Sequence, residues 1–179
     1  MLADFLQSIS PTTVDEVVWG DLRLRVAAHV HSELPPAKYV TSARCLVWRN
    51  ASTGRQVLVV RDPDGIHVLP GGRCKADETF EQTARREVLE ETGWRIGALQ
   101  RLGFIHYQHV TPRPPDYPYP YPDFVQVVYH AVAETFAPAA REVDGYEIGA
   151  AFQPVAPALL QRVSSGDRAY LAALGAIHV

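Results

Sequence analysis

Read from its amino terminus, the chain alternates short apolar runs with turn signals. Leu2, Phe5, Leu6 and Ile9 recur at helical spacing until Pro11 stops the helix. Val17-Val18-Trp19 and Leu22–Val26 flank Gly20-Asp21, a pattern that predicts a hairpin. Pro35-Pro36 marks a boundary, so residues 1–36 read as an N-terminal extension and residues 37–179 as the main domain. Ala43–Trp48 and Val57–Val60 are apolar runs of strand length, separated by a turn at Asn50–Gly54. A second turn at Asp62–Gly65 leads to the run Ile66–Leu69 and then to a loop at Pro70-Gly71-Gly72. The next helix is well marked. Thr79 suits its N-cap, Gln82 completes a capping box, and Gly93 supplies the stop. Leu99–Val110 and Phe124–Phe136 are predicted as long strands, Ala156–Val163 and Asp167–Leu174 as two short helices. Strands outnumber helices, and the layout predicts a mixed α/β sandwich.

Composition narrows the class of partner. The 179 residues carry 17 basic and 20 acidic side chains, a net charge of −3, with 47% hydrophobic residues. That length and balance suit one soluble domain rather than a disordered chain. A slightly acidic chain has no general attraction for duplex nucleic acid or an anionic membrane. No apolar run approaches the roughly 18 residues of a membrane span. The first residues lack the basic start and apolar stretch of a signal peptide. Cys45 and Cys74 cannot build a disulfide framework or a four-thiolate zinc site, so a reduced, cytoplasmic protein is expected.

The average hides one concentration. Five of the ten glutamates, Glu78, Glu81, Glu87, Glu90 and Glu91, fall within fourteen consecutive residues. Phe80, Ala84 and Val88 form an apolar stripe at 100° per residue, and Glu91 projects within it, with Glu87 at its edge and Glu90 further round. Like charges at i, i+3 and i+4 repel, and a single guanidinium at Arg86 balances one of them, not three. A solvated acidic face is the competing reading, and the angular position of Glu91 argues against it. Hard oxygen donors clustered on one rigid element suit Mg²⁺ or Mn²⁺, magnesium first.

These residues carry a family resemblance. Gly72, Glu78 and Arg86-Glu87-Val88-Leu89-Glu90-Glu91-Thr92-Gly93-Trp94 stand at the spacing of the Nudix box, G-x5-E-x7-R-E-U-x-E-E-x-G-U, with Trp94 in the last aliphatic place. The chain thus resembles the Nudix hydrolases over roughly Tyr39 to Pro157. The resemblance implies an α/β/α sandwich with a mixed sheet and a loop–helix–loop metal site. It implies metal-dependent hydrolysis of a nucleoside diphosphate linked to some group X, such as an NTP, a nucleotide-sugar, ADP-ribose or a dinucleotide. Carried over position by position, Glu87, Glu90 and Glu91 would bind the cation, and Gly71 would add a backbone carbonyl. Arg86 would orient the carboxylates, and Glu78 would anchor the loop. A homodimer is also implied, with the N-terminal extension as its natural contact.

The resemblance implies as general base a box glutamate, Glu90 or Glu91, or a distant one. Glu147, after the last long strand, is the leading distant choice against an exposed loop carboxylate, with Glu142, Asp144 and Glu134 as lesser competitors. His106, His109 and His130 fall in or beside strands, where structural roles are expected. Between the long strands, Pro112–Pro122 holds six prolines and three tyrosines. Tyr117, Tyr119, Tyr121 and Phe124 offer faces for a nucleobase, and Arg61 and Arg113 could meet phosphates; a rigid surface loop is the competing reading. The Pro/aromatic segment lacks the remaining pattern of NADH-cleaving relatives, so X stays open. Two further classes remain beside the enzyme: a Nudix-fold nucleotide sensor without turnover, and a structural protein with an acidic helix.

Overall fold

The run Ala43–Val47 is apolar at nearly every position because it is buried on both sides. In the computed structural model, which describes residues 1–142 and 146–176, consecutive side chains of this run enter opposite cores. In chain order the elements are α1 (Leu2–Gln7), β1 (Thr13–Trp19), β2 (Leu22–Val30), β3 (Val40–Ala51), β4 (Gly54–Asp62), β5 (Gly65–His67) and β6 (Gly71–Arg73). They continue as α2 (Phe80–Thr92), β7 (Trp94–Ile96), β8 (Gln100–His109), β9 (Asp123–Phe136), β10 (Gly149–Pro154), α3 (Pro157–Leu160) and α4 (Ser165–Ala176). The main path of the sheet runs β1-β2-β8-β9-β3-β4-β10, with β5 on β4, β6 on β3 and β7 on β9. β3 and β9 run parallel and the other pairings are antiparallel, which makes the sheet mixed.

Each face of the sheet is covered by helix. Ala43, Cys45 and Val47 of β3, Leu58 of β4 and Val127 and Tyr129 of β9 pack on Ala84 and Val88 of α2. From the opposite face, Leu46, Trp48, Val57, Val59 and Val128 meet Leu159, Val163, Tyr170, Leu171 and Leu174 of the α3–α4 region. This is the expected α/β/α sandwich. A third, smaller cluster seats Leu2 of α1, with Phe5, Leu6 and Ile9 beside it, on Phe104 and Val125.

Two differences from the pattern reading matter for the site. The pattern predicts a loop at Pro70-Gly71-Gly72, yet Gly71–Arg73 is a strand paired with Ser42–Arg44. The short strands β7 and β10 escape a periodicity reading because three to six half-buried residues carry too few alternations to count. The N-terminal hairpin, in turn, continues the main sheet: β2 pairs with β8 from Leu24↔His109 to Val30↔Gly103.

That last junction leaves no room for a side chain. A Cβ on Gly103 would lie 1.9 Å from the His29 carbonyl oxygen. Gly103→Ala should therefore destabilise the fold by at least about 1–3 kcal/mol, as overpacking does. Gly175→Ala in α4, where nothing stands within 4 Å, should be neutral or stabilising. Chemical denaturation of both variants checks this; equal stability would show that the β2–β8 junction yields freely.

Candidate active site at the glutamate helix

The N-terminus of α2 is fixed by the capping box read from the sequence. Thr79 Oγ1 accepts from the Gln82 amide at 3.2 Å, and Gln82 Oε1 accepts from the Thr79 amide at 2.8 Å. Thr83, Ala84, Val88 and Thr92 turn inward, and Gly93 closes the helix in the left-handed conformation. The rotation this imposes leaves Glu87, Glu90 and Glu91 half-buried rather than in open solvent.

Arg86 organises the acidic residues around it. Its Nε and Nη2 donate to the two oxygens of Glu78 at 2.6 and 2.9 Å, while Nη1 donates to Glu87 at 2.6 Å and to Glu90 at 2.8 Å. Nη2 also donates to the Arg73 carbonyl at 3.0 Å, which ties the helix to β6. One guanidinium thus touches three carboxylates, although its single charge still balances one. The Arg86 hydrogen bonds, joined by one from the Thr83 hydroxyl, hold Glu78 well below its ordinary range, at about 2. Burial pushes Glu87 upward against the pull of Arg86.

Glu91 lies outside this network. Its Oε2 accepts from the Gly71 amide at 3.1 Å, and burial raises it to about 8, opposed by Arg44 and reinforced by Glu147 and Glu87. Close approach requires glycine at Gly71, and Gly72 gives the Glu87 carboxyl its place. A Cβ on Gly71, whose φ is +151°, would lie 2.3 Å from the Ala43 carbonyl oxygen, and one on Gly72 would lie 2.5 Å from Glu87 Oε2. The donors are therefore all oxygen, spread along one helix flank against a bare backbone. Glu87 and Glu90 point at Arg86 and Glu91 at Gly71, so no three His, Cys, Asp or Glu side chains among the described residues converge on one point.

Arg141 joins the distant candidate to this helix. Its Nε donates to the Glu91 carbonyl at 2.9 Å and its Nη2 to the Glu147 carbonyl at 2.6 Å, while the Glu142 amide donates to the Glu90 carbonyl at 2.8 Å. Glu147 and Glu91 line the same cleft. Asp144 lies outside the described residues, and the side chains of Glu142 and Glu134 are exposed. The histidines have local partners: His106 with Asp123 at 2.8 Å, His109 with the Tyr117 hydroxyl at 2.8 Å, and His130 Nδ1 accepting from Trp48 Nε1 at 3.4 Å.

The cleft has a volume of about 830 Å³, the size of a small-molecule site. It opens from Glu91, Gly71 and Glu147, passes Arg44 and Tyr107, and reaches the hairpin at Trp19 and the start of α4 at Asp167. Most of the expected substrate contacts are elsewhere. Phe124 is buried and stacked under Tyr107, centroids 4.7 Å apart, so its face is already used. Tyr117 is turned to His109, and Tyr119 lies beneath the Arg73 guanidinium at 4.9 Å. Arg61 is exposed and does not line the cleft. Sequence reasoning does not single out Arg44, Tyr107, Asp167, Trp19 or Arg141. Arg44 has a visible signal, a cation inside an apolar strand; it donates to Gln126 Oε1 at 2.5 Å and to the Leu69 carbonyl at 2.9 Å. Asp167 has none, since its burial, which pushes it to about 6, arises from distant elements.

Comparison with known proteins places this geometry. The NUDIX domain family matches residues 38–174. An oxidized purine nucleoside triphosphate hydrolase of Danio rerio is 42% identical over 40 residues, 22% of this chain and 26% of that protein. This chain spans less than half the length of the curated relatives it matches. Among solved structures, a mutant of the Bacillus subtilis pyrophosphohydrolase BsRppH superposes with a TM-score of 0.60 at 20% identity, covering 90% of this chain and 96% of that one. The NUDIX domain of Shewanella oneidensis NrtR, solved with ADP ribose, does so with 0.58 at 17%, covering 78% and 88%.

The raised Glu91 has a consequence for stability. A carboxyl pushed from 4.5 to about 8 by folding favours the folded state while protonated, and that contribution is lost as pH rises through about 8. In metal-free buffer, Glu91→Gln should raise Tm at pH 9 by at least about 2–4 °C, the shift that about 1 kcal/mol gives a chain of this size. The gain should shrink towards zero at pH 5. Thermal scans at both pH values test it, and an equal difference at each would contradict the burial of this carboxyl.

Proposed function

Because the chain belongs to the NUDIX domain family, we propose that it is a metal-dependent pyrophosphohydrolase acting on a small nucleoside diphosphate linked to a further group. One observation carries the reading: Glu91 meets the Gly71 amide at the edge of a nucleotide-sized cleft, and on the same flank of α2 Glu87 lies against Gly72 while Arg86 holds Glu87 and Glu90. The donor set fits Mg²⁺, or Mn²⁺, with Glu87, Glu90 and Glu91 and the Gly71 carbonyl as the groups that would hold it. When bound, the cation neutralises pyrophosphate charge and lowers the pKa of the attacking water.

The chain's own residues do the rest. Arg86 releases Glu87 and Glu90 toward the cleft while keeping its bidentate grip on Glu78, so the helix and the Arg73 backbone stay in register. Glu147, tethered to the Glu91 carbonyl through Arg141, accepts the proton of the attacking water. The water oxygen then bonds to phosphorus, the anhydride P–O bond breaks, and its electron pair leaves with the departing phosphate. Arg44, the guanidinium in the cleft, faces the phosphates as charge shifts. The free thiols Cys45 and Cys74 suit a cytoplasmic setting. The substrate class draws support from the zebrafish relative, whose name is that of a purine nucleoside triphosphate hydrolase.

A second reading rests on the same contacts. Glu87 and Glu90 face Arg86, as they would in a domain that binds a nucleotide without turning it over, and the Shewanella NUDIX domain was solved with ADP ribose. A magnesium-dependent phosphate- and pyrophosphate-release panel over NTPs, ADP-ribose, nucleotide-sugars and dinucleotides separates the two. The enzyme reading expects turnover that EDTA abolishes. It also expects Glu90→Gln to lose at least about 100-fold and Glu78→Gln about 10–100-fold, the usual cost of a residue that orients metal ligands. Binding of a nucleotide with no turnover of any member would select the sensor instead.

A further inference from the structure

The family match begins at residue 38, yet one wall of the cleft is built by the hairpin before it. Thr13, Asp15, Val17 and Trp19 of β1 share one face of the strand and line the cleft, joined at its edge by Glu16, and Val26 and Ala28 of β2 continue the same wall. The wall is held in place from two sides. β2 is paired along β8, and the Ser165 hydroxyl at the start of α4 donates to Asp15 Oδ2. Trp19 stands at the tip, beside the two-residue turn Gly20-Asp21, and is 47% exposed although large and apolar.

Its neighbour is fixed while its own face is free. Tyr107 is buried, stacked on Phe124 and hydrogen-bonded through its hydroxyl to Gln126, the same amide that Arg44 holds. The Trp19 ring packs at 39° to Tyr107 with centroids 5.4 Å apart, leaving the rest of its surface toward the cleft. The cleft therefore has two chemically distinct ends. At one, Arg44, Gly71 and Glu91 suit phosphates and a cation. At the other, on β1 four strands away from β3, Trp19 and the buried Tyr107 form an aromatic wall.

We propose that Trp19 is a specificity-determining residue of the hydrolase: it stacks on the planar heteroaromatic group of the nucleotide, and the N-terminal hairpin is thereby part of the substrate site. This rests on the reading of the cleft as a nucleotide site. The hairpin then selects substrates that carry a base over phosphoanhydrides that carry none.

Two measurements test it. In the first, Trp19→Ala should raise KM for base-bearing nucleotides about tenfold, the scale of one base–aromatic stack, with kcat changed by less than about twofold. KM for phosphoribosyl pyrophosphate, an anhydride on a sugar without a base, should stay constant, and Trp19→Phe should restore most of the nucleotide affinity. A KM unchanged for nucleotides, or raised equally for the base-free compound, would overturn the proposal. The second needs no turnover. Trp48 is buried and Trp94 is packed between Phe136 and Phe152, so the exposed indole is Trp19. Magnesium complexes of α,β-methylene nucleoside triphosphates should quench the fluorescence of the wild-type protein and leave Trp19→Phe unquenched. Equal quenching in both would overturn the proposal, while quenching in a wild-type protein that hydrolyses none of the unmodified nucleotides would remove the enzyme and keep the stacking site.

Discussion

The Arg86 guanidinium sits where three carboxylates would otherwise push each other apart, and much of this end of the molecule is arranged around it. Glu78 takes one edge of the planar fork with both oxygens, and Glu87 and Glu90 share the nitrogen on the other side. A lysine offers a single charged point and cannot make this division. Because the fork also reaches the Arg73 carbonyl, the charge network and the backbone position of β6 are one constraint. β6 in turn sets the Gly71 amide against Glu91, so the carboxylate that Arg86 does not touch is still placed through it.

That arrangement separates two electrostatic situations along one short stretch of chain. Glu78 is ionised well below its ordinary range because a guanidinium is bonded to it. Glu91 is pushed up because it is buried beside other carboxylates, with Arg44 giving partial relief. A cation arriving at Glu91 would supply what the protein withholds there, and anionic phosphates would then be attracted to an end of the cleft that is otherwise acidic. Arg44 acts on both buried carboxylates of the cleft, opposing the upward push on Glu91 and on Asp167.

How much of this is legible in the chain depends on the range of the interaction. The α2 helix, its cap at Thr79 and its stop at Gly93 rest on contacts three or four residues apart, and periodicity reads those directly. The long strands are legible because burial on both faces leaves continuous apolar runs. The pairing of Gly71–Arg73 with β3 is not, since a glycine pair looks like a loop until one knows that the Ala43 carbonyl lies where a Cβ would be. The aromatic residues in and beside 112–122 are conspicuous by composition, and yet Phe124 is spent on Tyr107 and Tyr117 on His109. Tyr107 and Asp167 face the cleft through pairings that span much of the sequence, and no local signal announces them.

The hairpin shows why a boundary drawn from composition can mislead about a site. Pro35-Pro36 separates residues 1–36 in the sequence, but a β-sheet is completed by hydrogen bonds that ignore such punctuation. Once β2 pairs with β8, the pleat carries Val26 and Ala28 to the same face as Ile105 and Tyr107, and β1 must extend that face. α4 packs on this same face, Tyr170 and Leu174 sharing a core with Leu24, Ala28 and Ile105, and its Ser165 hydroxyl donates to Asp15. The cleft is thereby lined both by Glu91 of the glutamate helix and by Trp19 of the hairpin, which the sequence sets 72 residues apart.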